Sequence, residues 1–100
     1  MKNSEFEILR KIYKKSNYSQ RKLSEDLNIS LGKINYCINA LINKGLIKIS
    51  NFKKSKTKTK YFYVLTPKGL SEKTKMTLIF MKKKMQEYDE LKKELKKRQQ

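Results

Sequence analysis

Apolar residues recur along the first 45 positions at helical intervals, and beyond Gly45 they take on the spacing of strands. Phe6, Ile8, Leu9, Ile12 and Tyr13 fall mostly three or four apart behind Ser4, which is placed to cap a helix. Glu5 and Glu7 lie in its first turn, where the helix dipole favours acids. Ser16 and Asn17 break that pattern. Ser19 is the next cap, ahead of a short helix from Gln20 to Leu27 that has Leu23 and Leu27 on one face and Glu25 and Asp26 on the other. Asn28 and Ile29 make a turn. Ser30 then caps a third helix, Leu31 to Lys44, closed by Gly45 where a left-handed residue ends a helix.

Leu46–Ser50 and Tyr61–Leu65 are rich in β-branched and aromatic residues and read as the two strands of one hairpin. The segment between them, Asn51 to Lys60, is polar and cationic with no Gly or Pro to fix a tight turn, so a long, mobile tip is expected. Thr66-Pro67 opens a last helix, proline being suited to the first helical position, and nothing after Gly69 breaks it for about 30 residues. Along it Leu70, Thr74, Leu78, Met81, Met85, Tyr88, Leu91 and Leu95 recur at intervals of three and four, with Lys82–Lys84 and Lys92-Lys93 pointing elsewhere. A helix of that length overhangs a small core, and a second copy of the chain in a coiled-coil-like pairing is the expected cover. Leu78, Met81, Met85, Tyr88, Leu91 and Leu95 are the candidate dimer contacts, and Met76 and Phe80 are assigned to the same packing. The fold class is mainly α with a small β-hairpin (α+β). Residues 1–66 read as a winged helix-turn-helix and 67–100 as a dimerisation helix, in one continuous domain.

On a wheel of the third helix, Ile34, Ile38 and Leu41 share one face, with Leu31 and Cys37 flanking it. The opposite side carries Gly32, Tyr36, Asn39 and Asn43, beside Asn35 and Lys33. These side chains can read base edges: Asn bonds adenine N6 and N7 together, Lys donates to guanine, and Tyr reaches phosphate or a thymine methyl. A solvated helix face is the plain alternative for each residue taken singly. The joint pattern is more specific, because Ser19-Gln20 and Leu23, then Ser30, Ile34, Ile38, Leu41 and Gly45, set a short helix, a turn and a recognition helix at winged-helix spacing. Ser19, Gln20 and Ser30 stand at helix starts, where hydroxyl, amide and backbone N–H groups hold phosphates. Gly32 costs about 1 kcal/mol in helix propensity and suggests a close approach there.

Charge sharpens this reading. The 100 residues hold 26 Lys+Arg against 9 Asp+Glu, a formal net charge of +17, and no histidine. Residues 51–60 contribute five lysines and no acid, and Lys53, Lys54, Lys56 and Lys58 there are the candidate backbone or minor-groove contacts. A preference for Lys over Arg is what AT-rich codon supply alone produces. It does not account for the missing acids in that segment. Without histidine there is no Ser-His-Asp or Cys-His nucleophile and no histidine metal ligand, and the single Cys37 can form no internal disulfide or metal cluster. Cys37 therefore reads as a small core filler. Glu87, Asp89, Glu90 and Glu94 resemble a catalytic carboxylate set only by count, since i,i+4 pairing with lysine or arginine accounts for them. The expectations are a non-enzyme, no cofactor, no metal and double-stranded DNA as partner. The chain shows neither a secretory leader nor a membrane span, which points to the cytoplasm. Two further readings stand beside DNA binding. In one the last helix pairs with a different protein and the winged helix is scaffold. In the other that helix lies on anionic lipid.

The run from Ser19 to Lys48, then Tyr61–Gly69 and Lys75–Tyr88, resembles the MarR-type winged-helix regulators. The likeness covers roughly residues 4 to 95 and is strongest to the small group associated with bacterial exopolysaccharide gene clusters; Ser30-Leu31-Gly32-Lys33-Ile34-Asn35-Tyr36 and Leu65-Thr66-Pro67-Lys68-Gly69 are its most specific parts, the second recurring in many MarR-like wings. The resemblance implies a homodimeric regulator, usually a repressor, with helix 31–44 in the major groove of a pseudo-palindromic operator. It places groove-facing roles on Gly32, Lys33, Asn35, Tyr36 and Asn39, and wing roles on Lys53, Lys54, Lys56 and Lys58. Full-size MarR proteins enclose an effector pocket with additional helices, whereas this chain has one carboxy-terminal helix, so no small-molecule effector is expected. The tip also lacks the Asp-x-Arg signature of many MarR wings.

Overall fold

A computed structural model describes residues 3–15, 17–55 and 58–99, with the side chains of 51–61 and 99 outside that description. The elements follow in the order α1 (Asn3–Lys14), α2 (Gln20–Leu27), α3 (Leu31–Asn43), β1 (Ile47–Ser55), β2 (Lys58–Leu65) and α4 (Pro67–Gln99). The fold is a winged helix-turn-helix with a long carboxy-terminal helix. Ile8, Leu9 and Ile12 of α1, Leu23 of α2, Ile34, Cys37, Ile38 and Leu41 of α3, and Leu46 and Ile47 form one buried core. The helical spacing that marks these residues in the sequence is what brings one stripe of each helix to that core.

The turn between α2 and α3 is closed by Asn28 in the left-handed region (φ 54°). Its geometry lets the Ile29 N–H donate to the Ser24 carbonyl at 3.2 Å. Gly45 (φ 74°) closes α3 in the same way, with its N–H on the Ile42 carbonyl and the Leu46 N–H on the Leu41 carbonyl, both at 2.9 Å. Lys44 is the cap of α3 and not its last turn.

The Thr-Pro-Lys-Gly segment clamps the start of α4 onto that junction. The Thr66 hydroxyl accepts from the Gly69 N–H at 3.0 Å and donates to the Gly45 carbonyl at 2.6 Å, while the Lys68 ammonium reaches the Lys44 carbonyl at 3.0 Å. A Cβ on Gly69 would lie 1.9 Å from the Leu46 carbonyl oxygen, so only glycine allows this approach. Glu5, 2% exposed, is held by the Lys44 ammonium at 3.1 Å and ties α1 to the same end of α3. Farther along α4, Phe80 stacks on Phe6 of α1 with ring centroids 4.8 Å apart.

The structure departs from the sequence expectations at further places. The hairpin is longer than expected: antiparallel pairing runs from Ile47↔Leu65 through Phe52↔Lys60 to Ser55↔Lys58, with an irregularity between Lys53 and Ser55. Backbone ladder bonds form whatever the side chain, and the alternating Lys58-Thr59-Lys60 suits a solvated ladder, so lysine content alone does not end a strand. Of the segment expected as a tip, only residues 56 and 57 lie between the strands, and they fall outside the described residues. Ser4 lies within α1 and not ahead of it, with its Oγ 3.6 Å from the Cys37 Sγ. Tyr13 is 58% exposed and turns to the Lys73 ammonium, 4.1 Å from its ring centroid. Leu31, expected to flank the core, is 47% exposed because it occupies the first position of α3, ahead of the buried stripe that begins at Ile34. Phe80, assigned to dimer packing, instead meets Phe6 of its own chain. Ser16 falls outside the described residues.

Candidate nucleic-acid interface

Recognition residues on α3 need a rigid base and an open outer face, and the helix has both. Ile34, Cys37, Ile38 and Leu41 are at most 2% exposed, whereas Gly32, Lys33, Asn35, Tyr36, Asn39 and Asn43 all lie on the exposed side. Among the described residues nothing approaches within 4 Å of a Cβ built on Gly32, so none of them accounts for that glycine. Tyr36 is 65% exposed.

The helix starts are fixed by side-chain caps. Ser19 Oγ accepts from the Lys22 N–H at 3.1 Å, and Ser30 Oγ accepts from the Lys33 N–H at 3.2 Å. Both hydroxyls thus satisfy one backbone donor each and keep a proton to donate outward, which is the chemistry a phosphate oxygen requires.

Three of the amide residues singled out in the sequence are joined. Asn39 Nδ2 donates to Asn35 Oδ1 at 3.3 Å, Asn35 Nδ2 to Gln20 Oε1 at 3.2 Å, and Gln20 Nε2 to the Tyr63 hydroxyl at 3.1 Å. This chain of bonds links α3, α2 and the wing strand β2. Tyr63 was read only as a strand residue. A signal was available: strand alternation places it on the same face as Leu65, and a half-buried phenol needs a polar partner.

Beside this face, Lys22 and Asp26 pair at 3.4 Å. Desolvation raises the Asp26 pKa, but the Tyr18 hydroxyl, Lys22 and Lys11 outweigh it and hold the carboxyl below its ordinary value. Desolvation and the same carboxylate push the Tyr18 phenol up. The side chains of the wing candidates Lys53, Lys54 and Lys58, and all of Lys56, lie outside the described residues.

The candidate dimer residues Leu78, Met81, Met85, Tyr88, Leu91 and Leu95 lie on α4, each 54–64% exposed. Lys73, Met76, Thr77 and Phe80 are half-buried on the adjoining side, and from residue 81 to 98 every residue of the helix is exposed. Met76, assigned to dimer packing, belongs to this half-buried side. Among the described residues, no helix is long and apolar enough to cross a membrane.

Residues 1–48 match the sequence profile of a family described as winged helix-turn-helix DNA-binding. No curated protein matches the sequence. Several solved structures are similar to this chain. One is PcaV of Streptomyces coelicolor with its natural ligand (15% identity, TM-score 0.70, covering 82% of this chain and 57% of that one). Another is FabT of Streptococcus pneumoniae in complex with DNA (21%, 0.66, 87% and 59%). A third is a MarR transcriptional regulator from Methanosarcina mazei Go1 (25%, 0.63, 79% and 55%). The chain spans 55–59% of the length of these three. It therefore has the winged helix-turn-helix fold of MarR-family regulators.

Proposed function

We propose that the chain is a sequence-specific DNA-binding transcription regulator, acting in the cytoplasm as a homodimeric repressor on a pseudo-palindromic operator. The observation that carries this reading is α3, whose inner face is buried while its outer face presents Lys33, Asn35, Tyr36 and Asn39 to solvent. In this reading α3 enters the major groove, with Gly32 leaving room for the duplex at the helix start. Ser19, Gln20 and Ser30 contact phosphates at the starts of α2 and α3. Lys53, Lys54, Lys56 and Lys58 follow the backbone or the adjacent minor groove, and the +17 charge supplies affinity through counterion release. The complex of FabT with DNA supports this assignment, since the two chains share the fold. The narrower kinship with the exopolysaccharide-associated group rests on the sequence resemblance over roughly residues 4 to 95, most specifically at Ser30–Tyr36.

Point substitutions assayed by DNA binding test the reading. Asn35→Ala or Tyr36→Ala should cost about 1–3 kcal/mol on the operator and little on random DNA, whereas Lys56→Ala should weaken both and flatten the salt slope by about one. Equal losses on every sequence from all three would refute base reading by α3.

A second reading draws on the exposed apolar stripe of α4, which would suit a different protein as well as a second copy. In that case purified chain in solution has the mass of one copy, 12.0 kDa.

A further inference from the structure

Asn35 and Asn39 stand on an exposed helix face, where an amide rotates freely unless something holds it. A base-reading amide must present its oxygen and its nitrogen in a fixed order, because adenine offers one acceptor and one donor in a fixed arrangement. The holding group here comes from the wing. Tyr63 pairs with Ile49 across the hairpin and packs against the core, so its hydroxyl is anchored where the Gln20 and Asn35 side chains are not. From that anchor the hydrogen bonds run to Gln20, Asn35 and Asn39 over 3.1, 3.2 and 3.3 Å.

Resting on the DNA-reading function above, we propose that Tyr63 is a positioning residue for the recognition face: through Gln20 it sets which way round Asn35 presents its amide to a base. The amides all donate in one sense, toward the phenol. An amide chain can also run in the reverse sense, with every oxygen and nitrogen exchanged; a terminal hydroxyl serves either sense, so the group that takes the hydroxyl proton decides between the two. In the sense observed, the Tyr63 oxygen accepts from Gln20 and its own proton is available to an outside acceptor. A backbone phosphate oxygen receiving that proton fixes the sense, so that a contact at the wing orders a base-reading side chain on α3. A phenylalanine at this position keeps the packing and removes the terminal acceptor, releasing the Gln20 amide.

The test is Tyr63→Phe in the full chain, with Gln20→Ala as a second variant that cuts the same chain of bonds one link later. DNA sequences selected by the wild type from a random pool serve as the specific probe and unselected DNA as the control. Tyr63→Phe should melt close to the wild type and lose the one phosphate contact on every sequence alike, while its preference for the selected over the unselected DNA falls about five- to tenfold. The double variant should lose no more than either single one. In the free protein, the side-chain amide resonances of both Gln20 and Asn35 should move in Tyr63→Phe. Asn35 resonances that stay in place, an unchanged preference ratio, or additive losses in the double variant would each overturn the positioning role. A wild type that shows no sequence preference would overturn the DNA-reading function itself, and the amide resonances of the free protein would still report on the chain of bonds separately.

Discussion

The outer face of α3 and the far half of α4 are both exposed, and they solve exposure differently. On α3 the side chains are polar and partly bonded to each other, Asn39 to Asn35 to Gln20, so the face is ordered within a single chain. On α4 the stripe from Leu78 to Leu95 is apolar and 54–64% exposed, with only Met81 and Met85 beside Phe6 and Arg10 of α1. Hydrogen-bonding groups tolerate water while they wait for a ligand, whereas a row of leucine, methionine and tyrosine in water is a standing hydrophobic cost that association removes. In the proposed function the two surfaces take different partners, a polyanion on the first and another apolar helix on the second.

The sharpest way to break that contrast is to charge the α4 stripe. Met85→Asp with Leu91→Asp should convert a dimer of twice 12.0 kDa into the single chain without unfolding it, because neither side chain contributes to the core. Sedimentation equilibrium at micromolar concentration reads the outcome, and a wild type already at the single-chain mass would contradict the pairing. Gly69→Ala attacks the junction between the two regions. Its methyl would meet the Leu46 carbonyl oxygen at 1.9 Å, and the expected loss is roughly 3 kcal/mol in denaturant unfolding. A loss under half that size would mean that α4 can shift along the clamp formed by Thr66 and Lys68. Ser30→Ala removes the cap from α3 and should cost about 1 kcal/mol. The smallest effect belongs to Asp26. Its folded pKa lies below the ordinary carboxylate value, so its contribution is present above the unfolded pKa and lost as pH falls through the folded one. Asp26→Asn should therefore be less stable than wild type at neutral pH and level with it in acid below that range. A difference that persists unchanged in acid would remove the carboxylate from the explanation.

Much of the fold could be read from local signals. Ser19, Ser30, Asn28 and Gly45 mark helix ends through groups within three or four residues, and the buried stripe of α3 follows from its own periodicity. The Thr66–Gly69 segment was legible as a motif, but its reason was not. Gly69 faces the carbonyl of Leu46, 23 positions earlier, and no local rule brings those two together. Composition predicts a hairpin shorter than the one observed, because strand pairing depends on backbone bonds that a lysine forms as any other residue does. Leu31 was misplaced because a wheel gives direction but not depth. Tyr63 was missed for the same kind of reason as Gly69: its bond to Gln20 joins residues 43 apart, and the sequence offered only the weaker hint that a half-buried phenol needs a partner.

The most direct test of the whole account is selection of bound duplexes from a random DNA pool by the purified chain. The account predicts a two-fold symmetric motif with half-sites about one helical turn apart, since paired α3 helices on a two-fold axis read successive major grooves. Recovery of sequences with no shared motif would contradict it.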